Sequence, residues 1–215
     1  MTQNNESLGS VLIAQDLGSR LVQPLLIRAA LGQAPFAVPR YAAEVRMLDK
    51  VRVATFNKGT AARIDDGHEL PTFAELLVAS RLRAAGWKCT WVNAYHRRFI
   101  ETWAWDAAKP TVKQPPEHLL ETLKRIAAKV ASVTKLSRNL FDGVPDIMAW
   151  SGHDILFIEC KRRGKDRIQQ TQAEWLHAAI MIGINVMQLG IFEWHYSGEA
   201  DRTREGSSKL RAANP

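Results

Sequence analysis

Helical and strand rhythms of apolar positions are interleaved along this 215-residue chain. Between residues 11 and 31, Leu12, Leu17, Leu21, Leu25 and Leu26 recur at helical spacing and predict one or two helices. VRVATF, 51–56, is compatible with a short strand, and 59–67 reads as a loop. FAELLVASRLRAAG, starting at Phe73, predicts a helix opened by a capping box, Thr72-Phe-Ala-Glu75, and stopped at Gly86. WKCTWVNAY, from Trp87, predicts a strand, and 97–116 a long polar and aromatic connection. Residues 117–133 predict a second helix, basic on one side. After a turn at 139–143 come two short apolar strands, 145–150 and 155–160, joined by SGHD, and then the loop RRGKDR. A third helix is expected over 171–182, ended by Gly183, and INVMQLGIFEW supplies one or two further strands. Residues 1–10 and the polar tail from 197 carry no periodicity and are expected to be disordered. This order of elements predicts α/β layers around a mixed sheet.

The two short strands carry the chemistry. GVPDIMAW begins with an Asp, and DILFIECKRR ends its apolar run with Glu, Cys and Lys. A carboxylate on a buried strand is costly unless it is paired or bound to a metal. If the strands form a hairpin with Trp150 opposite Ile155, Asp146 falls opposite Glu159. Directly opposed residues share a face, with Cβ atoms about 4.5–5.5 Å apart. Two carboxylates there repel, and a divalent cation between them removes the penalty. Lys161, two residues beyond Glu159, points to the same face. It can orient or activate water, or stabilise charge developing on a phosphate. Cys160 faces the other side with Ile147, Ala149, Leu156 and Ile158, as a small buried hydrophobe. Its main-chain carbonyl remains close enough to ligate a metal. The plainer alternative is a cross-strand salt bridge in which Lys161 neutralises both acids. A one-residue slip of register would separate Asp146 from Glu159.

Composition narrows the possibilities. The chain is 46% apolar, enough for a core, yet no run of 18 apolar residues exists to cross a membrane. The N-terminus lacks a signal-peptide pattern, and two cysteines, Cys89 and Cys160, make no disulfide framework. A reducing cytoplasm is the expected compartment. The net charge of +7 favours a polyanionic partner. Lys124, Arg125, Lys129, Lys135 and Arg138 fall in an acid-free stretch, 122–141. Lys161, Arg162, Arg163, Lys165 and Arg167 follow the second carboxylate with only Asp166 among them. Each run alone fits a solvated face. Flanking the carboxylates, they mark Lys124, Lys129, Lys135, Arg138, Arg162, Arg163, Lys165 and Arg167 as candidate DNA contacts. Among six histidines no pair has compact zinc spacing, and no CxxC occurs. No nucleophilic Ser or Cys arrangement and no Gly-rich phosphate loop is present.

Taken together, G-V-P-D146, E159-C-K161, the loop Gly164-Lys-Asp-Arg167 and Q172-A-E-W175-L resemble the VRR-Nuc (virus-type replication-repair nuclease) domain of the PD-(D/E)xK nuclease superfamily. The likeness spans about 72–195. It implies a restriction-endonuclease-like α/β core, a mixed β-sheet flanked by helices, over 66–196. Residues 1–65 would be a mainly helical N-terminal extension and 197–215 a tail. It further implies a Mg²⁺-dependent deoxyribonuclease, with Mn²⁺ substituting, that acts on DNA junctions or flaps in replication, repair or recombination. A homodimer is plausible on the same ground. Asp146 and Glu159 would be metal ligands, joined by Cys160 through its carbonyl, and Lys161 the catalytic lysine. Gln172 would be the glutamine that follows, and Glu75 the acidic residue of the first core helix. Where the family has Leu-Ser before that glutamine, this chain has R-I-Q-Q-T-Q, so Gln169 and Gln170 compete for the role. Gln172 shares a helical face with Trp175, Leu176 and Ala179 and points towards the sheet. Glu75 is also the third residue of its capping box. Two other classes stay open: a non-catalytic DNA-binding or assembly module, and a small-molecule enzyme with a deep apolar pocket at the carboxylates.

Overall fold

A computed structural model of the chain describes residues 8–52, 60–65, 73–102, 111–136, 138–152 and 154–197. Helix α1 (Leu8–Asp16) leads into strands β1 (Arg20–Ile27), β2 (Phe36–Arg52) and β3 (Thr60–Asp65). Helix α2 (Ala74–Ala84), strands β4 (Lys88–Asn93), β5 (Arg98–Thr102) and β6 (Thr111–Val112), and helix α3 (Glu117–Thr134) follow. The hairpin β7 (Ile147–Ser151) and β8 (Asp154–Arg162), helix α4 (Gln170–Met181) and β9 (Leu189–Tyr196) complete the fold. The described strands form one mixed sheet in the order β1-β2-β9-β8-β7-β4-β5-β6, with β3 branching from β2. β9 runs parallel to both β2 and β8, and the other pairs are antiparallel.

Strand alternation sorts the side chains into two cores. Ile147, Ala149, Ile158 and Cys160 pack under Ala14 of α1, Leu17 just past it, and Leu76, Val78, Ala79 and Leu82 of α2. Met148 and Phe157 face the other way, under Leu119, Leu123, Ile126 and Val130 of α3 and Trp175 and Leu176 of α4. Trp175 meets Phe157 edge-on at 5.0 Å between ring centroids. Each fully buried residue of this size contributes about 1.5–3 kcal/mol. The result is the expected α/β core, a mixed sheet covered by helices on both faces.

The N-terminal region departs from expectation: it is mainly strand, not mainly helical. The leucines read as helical at 21, 25 and 26 lie on β1. Gly18, at φ +56°, ends the helical turn, and Pro24 sits at a bulge between Val22 and Leu25. Proline is tolerated there because β1 is an edge strand. The strand expected at 51–56 is the end of β2, with 53–56 outside the described residues. Part of the loop expected at 59–67 is β3. The N-terminal strands are integral to the sheet: Arg40 to Val45 of β2 pair with Ile191 to Tyr196 of β9. Tyr41 is buried against Gly190, where a Cβ would come within 2.8 Å of its ring, and burial pushes its hydroxyl up to about 12. His177 of α4 ties the same region down through a 2.9 Å contact to the Arg28 carbonyl. The connection expected over 97–116 contains β5 and β6. Residues 1–7, the tail from 198, and Thr72 and His153 lie outside the described residues.

Candidate active site

The hairpin register follows the sequence expectation. Ile147 pairs with Ile158 and Trp150 with Ile155, and one further pair, Ser151 with Asp154, extends the ladder towards the connection. One step beyond the last rung, Asp146 stands across from Glu159. Asp146 Oδ2 accepts the Cys160 N–H at 2.8 Å, and its main-chain carbonyl accepts the Val92 N–H at 2.7 Å. Both ends of the residue are therefore fixed to neighbouring strands.

Glu159 is 2% exposed. Its Oε1 accepts two hydrogen bonds, each 2.5 Å, from Lys161 Nζ and Gln172 Nε2. Its Oε2 is buried and has no hydrogen-bond partner. Gln172 reaches Glu159 from the first turn of α4, while its Oε1 accepts the Gln169 N–H at 2.9 Å. Of the three competing glutamines, Gln170 instead donates to Glu174 at 3.0 Å.

The electrostatics are those of crowded acids. Burial, followed by the Glu159 charge, drives Asp146 well above the usual carboxylate range. Glu159 is also raised by burial, against the opposing pull of Lys161. Glu75 is pushed up to about 7, first by burial and then by Asp146. Burial alone would lower Lys161, but the carboxylates of Glu159 and Asp146 outweigh it and hold the amine above its ordinary value. Lys161 is therefore a cation here. The Cys160 thiol is raised far by burial and then by the surrounding acids, so it stays neutral.

Glu75 approaches from the first turn of α2. The expected capping box is not formed by the described residues: Phe73, buried and extended, is the residue before the helix, and its carbonyl accepts the Leu77 N–H at 2.7 Å. Burial of Phe73 sets that start, and Glu75 becomes the second helical residue rather than the third. Its carboxylate is hydrogen-bonded to its own main-chain N–H and feels the charge of Asp146.

The segment that delivers Asp146 is clamped to α4. Arg138 Nη2 donates to Glu174 Oε2 at 2.7 Å, an ion pair largely shielded from solvent. Asn139 and Asp142 close the turn through Asn139 N–H to Asp142 Oδ2 at 3.1 Å and Phe141 N–H to Asn139 Oδ1 at 2.8 Å. Gly143, at φ +76°, then lies so close to α4 that a Cβ would meet the Thr171 carbonyl oxygen at 2.2 Å. Only glycine permits that approach. Neither Gly143 nor the Arg138–Glu174 clamp stood out as functional from the residues. The Gly-x-Pro-Asp spacing was the available signal for the former, and nothing local marked the latter.

The basic residues disperse. Arg163, Lys165 and Arg167 are exposed just past β8, and Lys135 is exposed after α3. Lys129 is half-buried, and Lys124 is ion-paired with Glu117 and Glu121. Arg138 serves the clamp. Arg162 stacks on Tyr196 at 4.4 Å and lies 5.7 Å from Trp194.

Among the described residues, no three His, Cys, Asp or Glu side chains converge closely enough to hold a metal by themselves. The oxygen atoms here that could hold a cation are those of Asp146, the orphaned Oε2 of Glu159 and the Cys160 carbonyl. Oxygen donors of this kind suit a hard cation such as Mg²⁺, which keeps several waters. The unpartnered Oε2 beside a second carboxylate fits such an ion.

Residues 89–189 match the family described as the VRR-NUC domain. The chain carries a VRR-NUC domain. Neither the curated proteins nor the solved structures give a match. The VRR-NUC span contains Asp146, Glu159, Cys160, Lys161 and Gln172, and it excludes Glu75 and strands β1 and β2. The VRR-NUC domain points to a nuclease of the PD-(D/E)xK type, with DNA as the implied substrate. No described helix is long and apolar enough to cross a membrane.

Proposed function

We propose that the protein is a divalent-cation-dependent deoxyribonuclease whose centre is Asp146, Glu159, Lys161 and Gln172. The observation that carries this is the buried carboxylate pair, with Glu159 Oε2 unpartnered and a cationic lysine on Oε1. Burying two acids side by side costs several kcal/mol, and a bound cation would remove their repulsion. Asp146, Glu159 and the Cys160 carbonyl would hold the cation, with Glu75 as a further acid nearby. Bound there, Mg²⁺ or Mn²⁺ supplies charge neutralisation at the scissile phosphate and activation of water. Lys161, hydrogen-bonded to Glu159, would orient the attacking water or stabilise charge developing on the phosphate. Gln172 holds Glu159 in one orientation. Arg163, Lys165, Arg167 and Lys135 provide exposed cations for the phosphate backbone, which makes binding steeply dependent on salt. Preference for flaps or junctions belongs to the same proposal.

The test is cleavage of plasmid, linear, flap and four-way-junction DNA with Mg²⁺ or Mn²⁺, by wild type and Glu159→Ala side by side. Products that need the cation and are absent with the variant are expected. Salt-sensitive binding without cleavage by wild type would favour a binding module instead.

A further inference from the structure

A cavity lies away from the carboxylates, at the opposite end of β7. It has a volume of about 490 Å³ and is lined by Trp87, Trp150, Arg83, Lys88, Lys113 and Glu101, among others. Its floor is built into the fold. The β4–β5 ladder stops at Trp91 and Ile100. Beyond it, Arg83 reaches from α2 to donate to the carbonyls of Cys89, at 3.2 Å, and Glu101. Thr90 Oγ1 donates to the Ile100 carbonyl at 3.1 Å. The strands are thus held apart by side chains, and the gap does not close. Pro115 and Pro116, which lead into α3, form another wall.

Three cations face one carboxylate in this cavity. Lys113 takes that carboxylate, Glu101, at 2.7 Å. Among the described residues, Lys88 and Arg83 meet no carboxylate. The apolar walls are two indoles and two prolines. Indole faces stack bases and neighbouring cations hold phosphate, the combination used for unpaired nucleic acid. A cavity of this size takes a single nucleotide and not a duplex. Trp150 also lies on the strand that Asp146 precedes, about 13 Å away at some 3.3 Å per residue.

We propose that the cavity bounded by Trp87, Trp150, Lys88 and Arg83 is a subsite for one unpaired nucleotide of the DNA substrate. The proposal rests on the nuclease function and specifies the substrate: a duplex with a single-stranded extension. A base stacks on Trp150, and its phosphate meets Lys88, the residue paired with Trp150 across β4 and β7 and so on the same face.

The test is fluorescence anisotropy without divalent ions, so that cleavage plays no part. A labelled blunt duplex, the same duplex with a single-stranded overhang, and dAMP are titrated with wild type, Lys88→Glu and Trp150→Leu. Lys88 is exposed, so that variant retains the fold even if Trp150→Leu does not. Wild type is expected to prefer the overhang about tenfold, from stacking of one base. Each folded variant is expected to bring the overhang-to-blunt ratio near one. A wild-type ratio of one, or a ratio unchanged in Lys88→Glu, overturns the subsite and leaves the nuclease function standing. Binding of dAMP tighter than the overhang overturns a strand as occupant. Failure to bind any duplex overturns the nuclease function as well.

Discussion

Gly143→Ala isolates the close approach that places Asp146. The added Cβ would sit 2.2 Å from the Thr171 carbonyl oxygen, 2.5 Å from its carbon and 3.0 Å from the Gln172 nitrogen. All three are backbone atoms of α4 and its entry, so no side chain can swing away. The loop must retreat by about 1.2 Å to reach the 3.4 Å of ordinary contact. Alanine at φ +76° adds about 1–2 kcal/mol of conformational cost. Overpacking against fixed backbone adds about 1–3 kcal/mol. For a chain of this length, the total of about 2–5 kcal/mol lowers Tm by roughly 4–20 °C. The control is Gly86→Ala, where φ is +91° but nothing lies within 4 Å of the new Cβ. It pays only the conformational cost, about 1–2 kcal/mol. A displacement near 1 Å between Asp146 and Glu159 is also expected to reduce cleavage about a hundredfold. Thermal unfolding of both variants and cleavage of a common DNA substrate are the assays. If Gly143→Ala melts together with Gly86→Ala and cuts like wild type, the close approach is not what positions Asp146.

Three further perturbations separate function from stability. Asp146→Asn keeps an acceptor for the Cys160 N–H but removes the repulsion with Glu159; it should raise the metal-free Tm by roughly 2–8 °C while abolishing Mg²⁺-induced stabilisation and cleavage. Glu75, at about 7 in the fold against an ordinary 4.5, binds its proton more tightly folded than unfolded. The contribution of Glu75 to metal-free stability should therefore be fully present below pH 4.5 and fall by up to about 3 kcal/mol as pH rises through 7, a slope that urea unfolding should find reduced by that amount in Glu75→Gln. Glu174→Ala strands the Arg138 guanidinium in a shielded position, and a loss of about 2 kcal/mol is expected in the same unfolding measurement, against a smaller loss in Glu174→Gln.

The hairpin was legible from the residues because its register depends on local quantities: strand lengths, one short loop and period-two alternation. Asp146, Glu159 and Lys161 followed directly from it. β1 was not legible, since Leu21, Leu25 and Leu26 satisfy a helical spacing as easily as they populate a bulged edge strand. Pro24, in the middle of that segment, argued against a helix and was the overlooked signal. The attachment of β2 to β9 has no local signature, because pairing partners far apart in the chain leave no shared pattern. The basic runs are only partly legible for a related reason. Charge counts do not reveal that Arg138 is committed to Glu174, or that Arg162 lies over Tyr196.

The parallel pairing of β2 with β9 also constrains the order of events at the ribosome. Tyr41 and Phe192 are partners roughly 150 residues apart, so at 5–20 residues per second β2 waits about 8–30 s for its neighbour to be synthesised. During that interval the β1–β2 hairpin is available, but one of its edges has nothing to pair with. The β7–β8 hairpin, whose contacts are local, can close sooner. The edge of β2 that will receive β9 is unprotected over that interval, and it is where a holding chaperone would act.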